Sequence, residues 1–394
     1  MDLRDSPDEA AFREQLRAWL RENLPAEPGS EWSRKLYEAG YAGLTWPVEY
    51  GGRGAPYSHH AIMLEEVARH GAPQHMNVIA LGMAGPTIMT HGTEEQKRRY
   101  LPKMLTAEEI WCQGFSEPGA GSDLAAVRTR IEDKGDHFLV NGQKVWSSVA
   151  HLASFCILVG VGDPTAPRYE GLTYVIADMK APGVEVRPLR QITGEAEFNE
   201  VFLTDVRIPD SDRLGAVGEG WAVAQTTLMN ERIAIGGGVQ PREFGMIGVL
   251  AREWRERPEV RDPGLHDALM QGWVGAEAAR LAGIRLTQQL AAGQPGPEGS
   301  ASKISFARLN QQLSGLEMEL LGEEGLRHDD WTMRRSRDVD FFAKSPSYRY
   351  MRAKGNSIEG GTSEILRNII AERVLGLPSE IRVDKDVAWK DIPR

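Results

Sequence analysis

HFLVNGQKVWSS, residues 137–148, is the stretch on which the fold turns. Asn141-Gly142 stands between two short runs, Phe138–Val140 and Gln143–Trp146, a pattern that predicts a β-hairpin closed by a two-residue turn. Ser154–Val161, Leu172–Met179, Val184–Leu189 and Glu200–Ile208 follow as apolar or alternating runs, each bounded by Gly, Pro or Asp. They predict a central β-domain, barrel-like, over residues 112–217. Upstream the period is 3.6. Ser6-Pro7-Asp8-Glu9 combines an N-cap serine, a first-turn proline and a capping-box glutamate, and Phe12, Leu16, Trp19 and Leu20 then recur on one face. Thr93-Glu94-Glu95-Gln96 repeats the capping box, and residues 1–111 are expected to be α-helical. Downstream, Trp221, Leu228 and Ile235 are spaced by seven, and Ala268–Ala291 and Ser302–Leu321 are long and apolar-periodic. Residues 218–394 are therefore expected to form a helical domain built on a four-helix bundle, which makes the fold mainly α with a central β-domain.

The 394 residues carry a net charge of −10 with no basic run, which argues against a nucleic-acid partner. The chain is 41% hydrophobic and 26% charged, as in ordinary globular proteins, and no apolar run reaches the roughly 20 residues that cross a bilayer. It starts MDLRDSPDEA, acidic where a leader would be basic, so a cytoplasmic protein is expected. Cys112 and Cys156 lack C-x-x-C spacing and read as buried small hydrophobes. The nine histidines form no metal-ligand pattern, and His59-His60 reads as surface or capping residues; no metal is expected. Walker A and G-x-S-x-G motifs are absent.

Glu231 is the most informative single residue. It falls in the stripe Trp221, Ala224, Leu228, Glu231, Ile235, where an ionised carboxylate is costly unless paired. Burial there would raise its pKa and suit it to take a proton from carbon; pairing with Arg232 or another helix would satisfy the same position structurally. Ser116–Asp123 and Gly360-Gly361-Thr362-Ser363 are glycine- and hydroxyl-rich turns. Either can bring N–H and O–H groups against a ligand, and the second opens a helix-like run where phosphate binds readily; plain turns and caps read equally well. Trp146 is a ring available for stacking or for a core.

Taken in order, six stretches resemble the acyl-CoA dehydrogenase family of flavoenzymes: GLTWPVEYGG (43–52), HGTEEQKRRYLP (91–102), SEPGAGSDL (116–124), NGQKVWSS (141–148), EFNEVFLTDVRIP (197–209) and EGGTSEILRNIIAERVLGLP (359–378). The resemblance implies FAD between the β-domain and the C-terminal bundle, with an acyl-CoA thioester between flavin and base. The α-proton goes to the base and the β-hydrogen to the flavin as hydride, giving a trans-2-enoyl thioester. By similarity Gln113, Phe115, Ser116, Gly121, Ser122, Trp146 and Ser148 lie along the flavin, and Thr362 and Glu364 approach its pyrophosphate and adenosine. Ser122, Arg232 and Gly360 would face the substrate, the Gly360 N–H on its carbonyl.

Many family members carry the base directly before the Gly-Thr of the last motif, where this chain has Gly360, with Glu359 one residue early. A branch resembling isovaleryl-CoA and long-chain dehydrogenases places it before an arginine on the first bundle helix. Met229-Asn230-Glu231-Arg232 matches that branch, so Glu231 is the expected base. The A-R-E-R-x-x-F-G and Q-x-x-G-G-x-G stretches that grip the cofactor's ADP half are replaced by the region around PREFGMIGVLAREWRERPEV and by ELLGEEG (319–325), whose glutamates would repel pyrophosphate. The resemblance further implies an electron-transfer flavoprotein as acceptor and a homo-oligomer or mixed oligomer. An oxidase or monooxygenase of the same fold, or a non-catalytic partner subunit, are the alternatives.

Overall fold

The computed structural model describes residues 4–25, 28–236, 240–292, 299–328, 330–335, 344–381 and 383–392. Five helices open the chain: α1 (Pro7–Asn23), α2 (Ser30–Glu38), α3 (Tyr57–Arg69), α4 (Gly85–His91) and α5 (Glu94–Leu105). Both expected capping boxes close, Ser6 with Glu9 and Thr93 with Gln96. A π-helical turn, Ala80–Ala84, leads directly into α4. His59 and His60 do not cap α3 and are half-buried: His59 stacks on Phe12 with ring centroids 4.3 Å apart and meets exposed Asp8 at 3.0 Å, and burial pushes the His60 imidazole down to about 4.

Seven strands form one curled sheet: β1 (Trp111–Gly114), β2 (Arg130–Asp133), β3 (His137–Ser148), β4 (Phe155–Val161), β5 (Leu172–Asp178), β6 (Val184–Pro188) and β7 (Phe198–Pro209). The order is β1-β4-β2-β3-β7-β6, with β5 on β4. Alternate residues of β4 enter different cores: Ile157 and Val159 pack with the N-terminal helices, Cys156 and Leu158 with the interior of the curl. β5 divides in the same way, Tyr174 and Ile176 against Val175 and Ala177. Burial on both faces is why these strands read as unbroken apolar runs. Cys112 and Cys156 are buried, free and directly opposite each other on parallel β1 and β4.

The predicted hairpin at Asn141-Gly142 is absent, because β3 runs straight through it as one strand of 12 residues. Asn141 pairs with Arg130 of β2 and Gly142 with Leu203 of β7, across a register shift. A glycine is needed for close approach rather than for a turn: a Cβ on Gly142 would stand 2.3 Å from Thr129 Oγ1. The Asn141 amide instead bonds Asp205, which takes the left-handed backbone (φ 49°) on β7. A second shift, between Lys144 and Ser147, carries Trp146.

Six α-helices follow among the described residues: α6 (Gly220–Gly236), α7 (Met246–Glu256), α8 (Pro263–Ala291), α9 (Gly299–Leu321), α10 (Pro346–Ala353) and α11 (Ser363–Arg373). Ile247 and Leu250 of α7, Leu269 of α8 and Leu313, Leu316 and Leu320 of α9 share one core. The C-terminal tail returns to the sheet: Arg168 N–H donates to Val387 O at 3.1 Å, Trp389 N–H to Ala166 O at 3.0 Å, and the Trp389 ring packs into the core shared with the N-terminal helices. Among the described residues no helix is long and apolar enough to cross a membrane.

Candidate active site

Glu231 is placed by the hydroxyl ladder one turn before it. Thr227, fully buried on α6, meets Thr87 Oγ1 of α4 at 2.8 Å and the Tyr174 hydroxyl of β5 at 2.9 Å, so two elements fix the helix. Four residues on, Glu231 occupies the same face. It is half-buried, and its Oε2 lies 3.5 Å from the Gln113 amide of β1, a long contact to a neutral donor. The Arg232 side chain, the other member of the motif, lies outside the described residues.

The competing carboxylate is already engaged. Glu359 takes both Arg352 Nη groups, at 3.0 and 2.8 Å, and the Asn356 amide at 2.6 Å. A bidentate guanidinium holds a carboxylate in one orientation, which is unsuited to a base that must swing onto a substrate proton. Directly after it, Gly360 (φ 60°) and Gly361 (φ 92°) both adopt left-handed backbone, the conformation for which the two glycines are required. Thr362 then caps α11, accepting the Ile365 N–H at 3.2 Å. Glu364 is exposed beside Arg367.

The loop after β1 is fastened from beneath. Glu117 accepts N–H groups of Arg128 (2.6 Å) and Thr129 (2.9 Å), and the fully buried Lys144 ammonium at 2.8 Å. Burial opposes ionisation of Glu117, but Lys144 and these donors outweigh it and hold the carboxyl below its ordinary 4.5; burial pushes Lys144 down from 10.5. Lys144 also donates to Phe115 O at 3.0 Å, and Val145 N–H to Ser116 O at 2.9 Å, which brings the Ser116 turn beside Trp146 and Ser148. Trp146 is 56% exposed on left-handed backbone (φ 62°), an unusual state for a bulky residue. The Phe115 ring, by contrast, is buried edge-on to Tyr174, so only its backbone can face a ligand. Gly121 and Ser122 are exposed at the loop tip, and Asp123 is ion-paired to buried Arg168, which also pairs with Asp384 of the tail.

Sequence reasoning missed the polar seam joining sheet and bundle. Buried Glu195, just before β7, accepts the Tyr348 hydroxyl at 2.8 Å and pairs with Lys344 at 3.1 Å; Arg335 donates to Asn199 of β7 at 2.9 Å. It also missed Lys303 on α9, 1% exposed, whose ammonium donates to Asn356 O (2.7 Å) and Gly361 O (2.8 Å). A lysine in register with Ser300, Ala307 and Ser314 on the buried face of α9 was the available signal.

Three successive domain families cover this architecture: the acyl-CoA dehydrogenase N-terminal domain at residues 6–108, the middle domain at 112–206 and the C-terminal domain at 218–375. The chain belongs to the acyl-CoA dehydrogenase family. It is 39% identical to acyl-CoA dehydrogenase IpdE1 of Mycobacterium tuberculosis, over 95% of this chain and 99% of that protein. It is 30% identical to glutaryl-CoA dehydrogenase of Desulfococcus multivorans, over 89% of each chain. Among solved structures it resembles the Tcur3481-Tcur3483 steroid ACAD (TM-score 0.82, 28% identity, 96% of this chain and 100% of that one). The ChsE4-ChsE5 complex of Mycobacterium tuberculosis is similar at a TM-score of 0.80 and 28% identity, over 96% of this chain and 100% of that one.

Acyl-CoA dehydrogenases are FAD-dependent oxidoreductases acting on CH–CH groups, and the residues present here suit a flavin. Trp146 offers an exposed ring on a strained bulge beside the Ser116 turn, and the Ser116 hydroxyl makes no hydrogen bond among the described residues. The α11 N-terminus, entered through two left-handed glycines, offers backbone donors to an anion. The replaced ADP-half motifs are occupied by local pairs: Glu324 with Arg257 at 2.8 Å, and Arg242 with Glu277 at 2.7 Å.

Proposed function

We propose that this acyl-CoA dehydrogenase converts an acyl-CoA to its trans-2-enoyl thioester with Glu231 as the base that removes the α-proton. The observation that carries the reading is that Glu359, the carboxylate nearest the glycine pair, is held by Arg352 and Asn356, while Glu231 lies half-buried on α6 beside Gln113 of β1. Bound FAD supplies the acceptor for the β-hydride. Gln113, Ser116, Trp146 and Ser148 would hold the ring system, with Phe115 contributing backbone only; Gly121 and Ser122 lie along the loop that borders flavin and thioester. Thr362 and Glu364, at the start of α11, would meet the pyrophosphate and adenosine side. The Gly360 N–H, which makes no hydrogen bond among the described residues, is the donor for the thioester carbonyl, whose charge grows as the α-proton leaves. Arg232, next to the base in sequence, would contact the substrate.

A ring-bearing acyl group is the substrate class we favour, on the likeness to a steroid-directed relative. Electrons pass to an electron-transfer flavoprotein in a cytoplasmic setting, and assembly is a homo-oligomer or, as the two-component names of the similar structures support, a mixed oligomer. Purified protein with flavin, titrated under argon with straight, branched and ring-bearing acyl-CoAs, tests the reading. Flavin bleaching with a product two hydrogens lighter is expected, fastest for a ring-bearing thioester. No bleaching with any member of the panel would overturn the function, and preference for a straight chain the substrate class.

A further inference from the structure

Lys303 is a buried cation whose ammonium contacts carbonyls rather than an acid: among the described residues no carboxylate lies within ion-pair distance of it. Its two acceptors bracket one short loop. Asn356 O stands before Glu359, and Gly361 O follows Gly360, so one ammonium closes both ends of the segment that presents the Gly360 N–H. Arg352 and Asn356 fasten the same loop through Glu359 from the other side. The left-handed glycine pair has no conformational preference of its own to hold that shape, so these side chains must supply it.

Burial pushes the Lys303 ammonium below its usual 10.5 against the attraction of Glu359, Glu231 and Glu364.

We propose that Lys303 is a positioning residue of the active site: it pins the 356–361 loop so that the Gly360 N–H meets the thioester carbonyl. This rests on the proposed reading, in which Glu231 is the base and the Gly360 N–H is the donor to that carbonyl.

The test compares the flavin-loaded parent with K303M, K303Q and E231Q. Solvent deuterium wash-in at Cα of a 3-thia-acyl-CoA, which has no β-hydride to lose, reports the base alone; anaerobic flavin reduction by substrate reports the whole step. K303M should lower both rates by about 10²-fold, with KM changed far less, as displacement of a reacting group by about an ångström does. K303Q keeps N–H donors able to reach the same two carbonyls, so its rate loss should be smaller than that of K303M. Rates in folded K303M within a few-fold of the parent, or a loss in K303Q as large as in K303M, would overturn the proposal. Undiminished wash-in by E231Q would instead overturn the base assignment on which it rests.

Discussion

At the residue scale, two glutamates 128 positions apart in sequence compete for one chemical role, and the partners of Glu359 weigh against it. Glu359 has a bidentate arginine and an amide; Glu231 lies half-buried beside Gln113. Glu359→Gln should therefore leave turnover within about tenfold of the parent, its loss coming only from a looser loop, since direct removal of a base costs about 10²–10⁴-fold. Steady-state turnover of the flavin-loaded variant checks this, and a loss as large as that of a missing base would mean that Glu359 has a chemical role.

At the element scale, β3 separates what periodicity reveals from what it conceals. The helices were legible because capping boxes and 3.6-residue stripes are local signals, and both boxes close as expected. Asn141-Gly142 has the composition of a hairpin turn, but the close packing of Thr129 explains the glycine equally well, and that contact is remote in sequence logic. Gly142→Asn distinguishes the two: a turn would accept asparagine, whereas here its Cβ falls 2.3 Å from Thr129 Oγ1 and overpacking should cost about 1–3 kcal/mol, read as a lowered thermal midpoint. In the same way Glu231 was visible as a charge in an apolar stripe, whereas Lys303 and Arg352 are recognisable only once their acceptors on a distant loop are known. The Arg232 side chain lies outside the described residues.

The turn after β1 has a pH signature. Glu117 is held below 4.5, so its stabilising contribution is complete above about that pH and is lost as pH falls through the depressed value. Thermal midpoints measured against pH should fall more steeply below about 4.5 in the parent than in Glu117→Gln. At neutral pH the same variant should be less stable by about 3–5 kcal/mol, because Lys144 remains buried without its counter-charge.

At the scale of the whole molecule, the tail, the central sheet and the substrate-side loop form one connected unit through Arg168. This buried arginine pairs with Asp123 of the 116–124 loop and with Asp384 of the tail, and its backbone joins Val387. Asp384→Asn should therefore raise hydrogen exchange in two places at once, residues 383–392 and 116–124. Faster exchange in the tail alone would show that the two segments are independent.

The central claim is that Glu231 takes the α-proton, and rapid mixing of acyl-CoA with flavin-loaded protein under argon addresses it most directly. Glu231→Gln should retain its flavin spectrum yet reduce the flavin about 10²–10⁴-fold more slowly than the parent; reduction at the parent rate would contradict the assignment.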